Sequence, residues 1–112
     1  MRKVDKPWGH ELIWAETPKY VGKVLHIEAG KRLSLQYHNV KDETIMVQSG
    51  NLRLEVGPSA DNLHPIDMGP GDIFHIVTGL LHRMCAVTDV DVLEVSTPEL
   101  NDVVRVQDDY GR

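Results

Sequence analysis

Gln36, His38 and Glu43 stand close together in the stretch "LSLQYHNVKDETIMVQSG", which runs from Leu33 to Gly50. An amide oxygen, an imidazole and a carboxylate are all donor types that hold divalent ions. Gln36 and His38 are two residues apart, so an extended strand presents both on one face. Outward-facing polar alternation gives the same pattern, and from this stretch alone both readings stand. If Gln36 and His38 point inward, so does Ser34, while Leu33, Leu35 and Tyr37 point outward. That is inverted for a plain structural strand. It makes sense around a polar interior whose outer face is covered by another layer or by a partner subunit.

The elements that must position these residues read as short strands. Helical periodicity is scarce, and alternating or β-branched runs recur instead: "HELIWA", "YVGKVLHIEAG", "RLSLQYH", "ETIMVQSG", "NLRLEVG", "IFHIVTG", "HRMCAV", "VDVLEVST" and "DVVRVQD". Gly30, Asn39, Gly50, Gly57-Pro58, Gly69-Pro70-Gly71 and Gly79 punctuate them at the spacing of an all-β sandwich or barrel. Ser49-Gly50-Asn51 reads as a hairpin turn between two alternating runs. The segment from Gly57 to Pro70 is the least regular and reads as a surface excursion. One β domain spanning residues 1–112 accounts for the whole chain. In a small closed barrel inward and outward residues alternate, and the interior is either packed or holds one small ligand.

Composition narrows the function classes. The 112 residues carry 12 basic and 17 acidic side chains, a net charge of −5, and no Lys/Arg run, so nucleic acid is not an expected partner. Cys85 is the lone cysteine and cannot form an intrachain disulfide, which fits a reducing compartment. No apolar stretch approaches the ~18 residues of a membrane span, and Met1 is followed by "RKVDKPWGH" rather than an apolar signal segment. A cytoplasmic protein with no membrane association is expected.

The chain from Gly30 to Gly50 places Gln36, His38 and Glu43 at fixed spacings between the two glycines, and Gly79 precedes His82 by three residues. This spacing resembles the two motifs of the cupin superfamily, with Gln36 where the first motif has a His, Val77 where the second has a Pro, and Ala86 where it has an Asn. The resemblance implies a double-stranded β-helix, a jelly-roll barrel, with one divalent metal ion on Gln36, His38, Glu43 and His82. The donor set mixes imidazole nitrogens with amide and carboxylate oxygens and has no thiolate. Zn is the first choice for such a set, with Mn, Fe, Co or Ni also compatible. Only one of the four ligands is anionic, which leaves positive charge and open positions for a substrate. His10, His26, His64 and His75 carry no comparable spacing, although His75 could line the cavity.

A closer resemblance runs from Lys6 to the C-terminus. The elements "KPWGHELIW", "GKRLSLQYH", "IVTGLLHR" and "NDVVRVQDDYGR" are similar to those of the cupin domain of type II mannose-6-phosphate isomerases. The resemblance implies a metal-dependent interconversion of mannose 6-phosphate and fructose 6-phosphate. These residues contain no Gly-rich nucleotide loop, so the nucleotidyltransferase step often joined to that domain is not expected of them. Thr44 and Ile45 replace a His and an aromatic of the family pattern. The alternatives are another metal-dependent cupin enzyme, such as an Fe(II) dioxygenase or a different sugar isomerase or epimerase, or a non-catalytic sugar-binding cupin.

Aldose–ketose interconversion moves a proton between C1 and C2 of the open-chain sugar, so it needs a Lewis acid and a base of near-neutral pKa. Lys23 and Arg105 are the catalytic candidates, Lys23 as the base. Arg32 and Arg83 are the substrate-binding candidates, because guanidinium groups bind phosphate in bidentate fashion, and Arg105 could also serve there. Arg32 shares parity with Gln36 and His38. Trp8 and Trp14 read as packing residues. Asp108, Asp109 and the Tyr110-Gly111-Arg112 terminus could close the barrel mouth, with Arg112 reaching substrate. The expected partners are a small sugar phosphate and a second copy of the chain in a homodimer that covers an apolar sheet face.

Overall fold

The structure is a computed structural model that describes residues 1–111. Its strands are β1 (Arg2–Lys6), β2 (Gly9–Glu16), β3 (Val21–Ile27), β4 (Leu35–Tyr37), β5 (Glu43–Ser49), β6 (Leu52–Ser59), β7 (Asn62–Met68), β8 (Ile73–Ile76), β9 (Leu81–Ala86), β10 (Val90–Ser96) and β11 (Val104–Gln107). They form a six-stranded sheet in the order β1-β2-β3-β10-β5-β8 and a five-stranded sheet in the order β11-β4-β9-β6-β7. All pairings are antiparallel. The chain is all-β as the alternation implied, and the arrangement of its strands is the double-stranded β-helix that the resemblance implied.

Alternation explains how the sheets face each other. On β10, Val90, Val92, Glu94 and Ser96 are buried while the residues between them are more exposed. The same parity buries Val21, Lys23, Leu25 and Ile27 on β3, and Glu43, Ile45 and Val47 on β5. From the five-stranded sheet, Leu52, Leu54, Met84 and Ala86 meet them in one core cluster with Trp8 and Met68. Each fully buried aliphatic side chain contributes about 1.5–3 kcal/mol by leaving water.

Two loop expectations are corrected. Ser49-Gly50-Asn51 does not close a hairpin: β5 pairs with β10 and β8, whereas β6 pairs with β7 and β9. The turn instead carries the chain from one sheet to the other. Gly50 adopts φ 82°, and a Cβ there would lie 2.0 Å from the Asp89 carbonyl oxygen, so both conformation and space require glycine. The supposed excursion from Gly57 to Pro70 is mostly strand, because β6 and β7 form a real hairpin through Ser59↔Asn62. Pro65 is tolerated because β7 is an edge strand.

The expected inversion of "LSLQYH" also needs correction. Leu33 belongs to the core cluster and Leu35 is fully buried within the single chain. Strand β4 is only three residues long, and Arg32 to Ser34 run beside β9 through one isolated bridge, Arg32↔Cys85. Strict alternation therefore does not extend back through Leu33.

Candidate metal centre and cavity

His38, Glu43 and His82 come together from three places in the chain, with ligand atoms all within 4.8 Å of one another. His38 follows β4, Glu43 opens β5 and His82 lies on β9. All three are buried. Nε2 of His38 is 2.9 Å from Oε1 of Glu43, and Nε2 of His82 is 3.4 Å from the same oxygen. The two imidazole rings lie 5.1 Å apart and tilted.

Each imidazole is oriented by backbone. Nδ1 of His38 is 2.6 Å from the Asp102 carbonyl oxygen, and Nδ1 of His82 is 2.9 Å from that of Leu80. A carbonyl can only accept, so each Nδ1 carries a proton and each Nε2 is the ring atom turned to Glu43. Burial opposes charging His38, but its hydrogen bond to Glu43 raises its pKa. Carbonyls that accept from the other ring nitrogen fix metal-ligating histidines in this way. Nε2 of His82 is fully buried and makes no hydrogen bond. A buried ring nitrogen left unpaired is costly, and two imidazole nitrogens converging on one carboxylate fit a divalent cation. The three residues are a potential metal-binding triad. The amide of Gln36 stands beside it: Gln36 pairs with His82 across β4 and β9, and its Oε1 accepts a 3.0 Å hydrogen bond from Ser34.

The loop that holds His38 is itself clamped. The Asp102 carboxylate accepts hydrogen bonds from the backbone N–H groups of Asn39, Val40 and Lys41 at 3.1, 2.6 and 2.8 Å. The N–H groups of Lys41 and Val40 hold that carboxyl below its usual pKa.

A chain of buried charge leads away from the triad. Nζ of Lys41 lies 3.4 Å from Glu43 and 3.3 Å from Glu94, and Nζ of Lys23 lies 3.5 Å from Glu94 and 3.2 Å from Glu11. Burial and the neighbouring Glu43 push the Glu94 carboxyl up to about 7, against the pull of Lys23 and Lys41. Burial alone would raise Glu43 too, but His38, His82 and Lys41 beside it hold it well below the carboxylate range. Burial opposes charging Lys41, yet Glu94 and Glu43 together raise its pKa.

A cavity of about 220 Å³ opens beside this chain. Gln36, His38, Lys41, Lys23 and Glu94 form its polar wall. Trp8, Leu25, Leu33 and Met84 supply apolar surface, while Arg2, Lys6 and Arg105 add cationic groups. Arg105 is drawn there because it pairs with Gln36 across β11 and β4. Among the described residues, Lys6 and Arg105 have no ion-pair partner, whereas Arg2 binds Glu16 at 3.0 Å.

The structure thus brings Gln36, His38, Lys23 and Arg105 to the cavity, with Glu43 and His82 in the triad. It does not bring Arg32 or Arg83 to this cavity. Arg83 neighbours His82, so alternation turns it to the opposite face of β9. There Nε donates to the Leu33 carbonyl at 3.0 Å and a terminal nitrogen donates to that of Gln107 at 3.1 Å, tying the segment before β4 to β11. Arg32 donates to both carboxylate oxygens of Asp109 at 2.6 and 2.9 Å, and its own carbonyl accepts from the Tyr110 hydroxyl. The C-terminal segment therefore docks on Arg32 and does not line the cavity. Arg112 lies outside the described residues. His75 is exposed, 2.7 Å from Asp42. Trp8 is buried in the core, while Trp14 is 56% exposed.

Sequence reasoning missed Glu94, Lys41 and Asp102. Glu94 left a readable signal: it shares parity with the apolar Val90 and Val92, which marks it as an inward carboxylate.

Two antiparallel sheets enclosing a buried His-Glu-His set define a double-stranded β-helix with a metal-type centre. A cupin-domain family model matches residues 23–96, and the chain belongs to the cupin family. No curated protein matches the chain. Among solved structures, KdgF from Halomonas sp. superposes with a TM-score of 0.78 at 20% identity, covering 90% of this chain and 91% of that one. CapF from Staphylococcus aureus, a capsular polysaccharide assembling protein, has a TM-score of 0.78 at 16% identity, covering 95% of this chain but 34% of its own. Lactobacillus farciminis oxalate decarboxylase, in a formate complex, has a TM-score of 0.75 at 17% identity, with coverage of 94% and 33%. At these identities the likeness establishes the fold. The chain spans about a third of the latter two proteins.

Proposed function

We propose that the chain is a metal-dependent isomerase of a small anionic sugar, with mannose 6-phosphate to fructose 6-phosphate as the specific reaction. The observation that carries this reading is the cavity itself. It places Glu94 and the cationic groups of Lys6 and Arg105 around the triad side of the barrel. At about 220 Å³ it is smaller than the ~300–1,000 Å³ of pockets for drug-sized ligands, which suits a monosaccharide. A divalent ion on His38, Glu43 and His82, with Gln36 beside them, would supply Lewis-acid polarisation of a substrate carbonyl.

The chain's own groups supply the rest. Lys6 and Arg105 neutralise the anionic end of the substrate, Arg105 by a bidentate contact. Glu94 faces the cavity and moves the proton between adjacent carbons. Lys23 was the expected base, but its ammonium is engaged by Glu11 and Glu94; its role here is to balance and orient Glu94. Trp8 and Leu33 keep water from that wall. The carbohydrate role printed for CapF agrees with a sugar substrate.

The test is a coupled assay of mannose 6-phosphate conversion on protein stripped and reloaded with Zn, Mn, Co or Fe(II), beside solvent-deuterium exchange into a panel of sugar phosphates and sugar acids. Metal-dependent turnover that disappears in Gln36→Ala/His38→Ala supports the specific reaction. Exchange into another sugar keeps the isomerase class and changes the substrate. Stoichiometric metal binding with neither turnover nor exchange would sink the enzyme reading.

A further inference from the structure

The charges lining the cavity do not cancel. Lys23 and Lys41 are paired with Glu11, Glu94 and Glu43. That leaves Arg2, Lys6 and Arg105 as excess positive charge in a chain whose net charge is −5. Strand register shows where each of the three stands. Arg2 pairs with Ile13, Ile13 with Lys23 and Lys23 with Glu94, so Arg2 shares a row of the six-stranded sheet with the buried network. Lys6 is four residues further along β1, about 13 Å at strand spacing. Its row is that of Gly9, Ile27 and Val90, in the aliphatic half. In the five-stranded sheet Arg105 pairs with Gln36 and Gln36 with His82, which sets it in the row of the triad. Strands β1 and β11 are end strands of their sheets, and both arginines line the cavity. Two guanidinium groups thus reach the ionic end of the cavity from the edges of two different sheets.

We propose that Arg2 and Arg105 form a clamp for a phosphoryl group, and that Arg2 is the residue that selects a phosphate ester over a carboxylate. The inference rests on the reading above that the substrate is a small anionic sugar, and adds which anion it carries. One guanidinium in a bidentate pair already satisfies both oxygens of a carboxylate. A phosphate monoester presents three terminal oxygens and close to two negative charges at neutral pH, so it has an oxygen and a charge left for a second guanidinium. Arg2 is available to supply it. Its contact with Glu16 is a single hydrogen bond of 3.0 Å between side chains that are 57% and 48% exposed. Ion pairs so open to water contribute little and are given up at low cost. Exchange of Glu16 for the phosphoryl group therefore completes the clamp. Lys6 adds a point charge from the far end of β1 and no second fork of donors.

Calorimetric titration of the Zn-loaded protein with mannitol 1-phosphate and with gluconate reads the outcome, at matched ionic strength and a pH where the phosphate is a dianion. The parent protein is expected to bind mannitol 1-phosphate. Arg2→Gln should weaken that binding about tenfold, the scale of one lost charge-assisted hydrogen bond, and leave gluconate unchanged. Arg2→Lys should restore only part of the loss, since an ammonium keeps the charge without the fork. Glu16→Gln should tighten mannitol 1-phosphate, because it frees Arg2 from its competitor. If Arg2 served only to hold β1 in place, Arg2→Gln and Glu16→Gln would break the same ion pair and move binding in the same direction. That result would overturn the proposal. So would an equal loss for both ligands, no loss at all, or a parent protein that does not bind mannitol 1-phosphate. The readout does not depend on turnover. An inactive protein with the expected binding pattern would sink the isomerase and keep the clamp, whereas turnover of mannose 6-phosphate with affinities unmoved by Arg2→Gln would do the reverse.

Discussion

The inner face of the six-stranded sheet has two halves built by the same alternation. Toward one end the register sets Val90 against Ile27, and Val92 against both Leu25 and Val47. Two residues further along each strand it sets Glu94 against Lys23 and Ser96 against Glu43. The backbone geometry is continuous, yet one half is a dry aliphatic core and the other a buried ionic network. Apolar burial is stabilising wherever it occurs, whereas buried charge is costly unless every group is paired. The charged half is therefore where the fold gives up stability and gains chemistry.

The largest expected effect separates the halves by metal binding. His38→Ala/His82→Ala should abolish stoichiometric binding of Zn or Mn, read by metal analysis after dialysis, and with it any metal-induced rise in melting temperature. Val92→Ala, in the other half, should leave the metal stoichiometry unchanged. If the double variant retained one tightly bound ion per chain, the division between the halves would be wrong.

Stability separates them next. Lys41→Met removes the cation shared by Glu43 and Glu94, leaving two buried carboxylates facing each other. Breaking a buried pair by deleting one partner costs about 3–5 kcal/mol. Ile27→Ala should cost about 2–5 kcal/mol through the lost methyl groups and the cavity left behind. Denaturant melts would show both losses. A divalent ion should stabilise both variants by binding the triad. The Lys41 variant should gain more than the parent does, because the added cation also restores charge balance at Glu43, whereas Ile27→Ala should gain only what the parent gains.

A third variant tests whether the charged half depends on its loop. Asp102→Ala removes the clamp on the N–H groups of Asn39, Val40 and Lys41, and should loosen the backbone carbonyl that orients His38. Loss of such outer-shell support typically lowers metal affinity about 10- to 100-fold, measurable by competition with a chelating dye. Unchanged affinity would reduce Asp102 to a structural loop residue.

The same contrast explains what was legible from sequence. The metal-type residues could be read because Gln36, His38 and Glu43 lie within one short segment and His82 follows a glycine signal. Most strands could be read from alternation. Strands β1 and β7 could not: "RKVDK" is nearly all charged, and "NLHPIDM" contains Pro65, yet each is an edge strand held by one neighbour. The ionic network was hidden for another reason. Glu11, Lys23, Lys41 and Glu94 are scattered along the chain, and only strand register makes them neighbours. Arg83 shows the converse: it shares the family-like stretch "IVTGLLHR" with His82, yet alternation turns it to the opposite face of β9.

The smallest effect belongs to the exposed counterpart of the buried network, the Arg32–Asp109 pair. Its hydrogen bond with Arg32 holds the Asp109 carboxyl below its ordinary value. A carboxyl that is more acidic when folded stabilises the fold above its unfolded pKa of about 3.9 and loses that contribution as pH falls through its folded value. The parent protein should therefore melt slightly above Asp109→Asn at neutral pH, with the gap closing as pH drops below about 4. Added salt should also narrow the gap, because solvent-exposed pairs are screened. The buried pairs of Glu43 and Glu94 with Lys41 should show no such sensitivity to salt. A gap between the parent and Asp109→Asn that persisted at low pH and high salt would mean that the Asp109 side chain acts through packing of the C-terminal segment rather than through its charge.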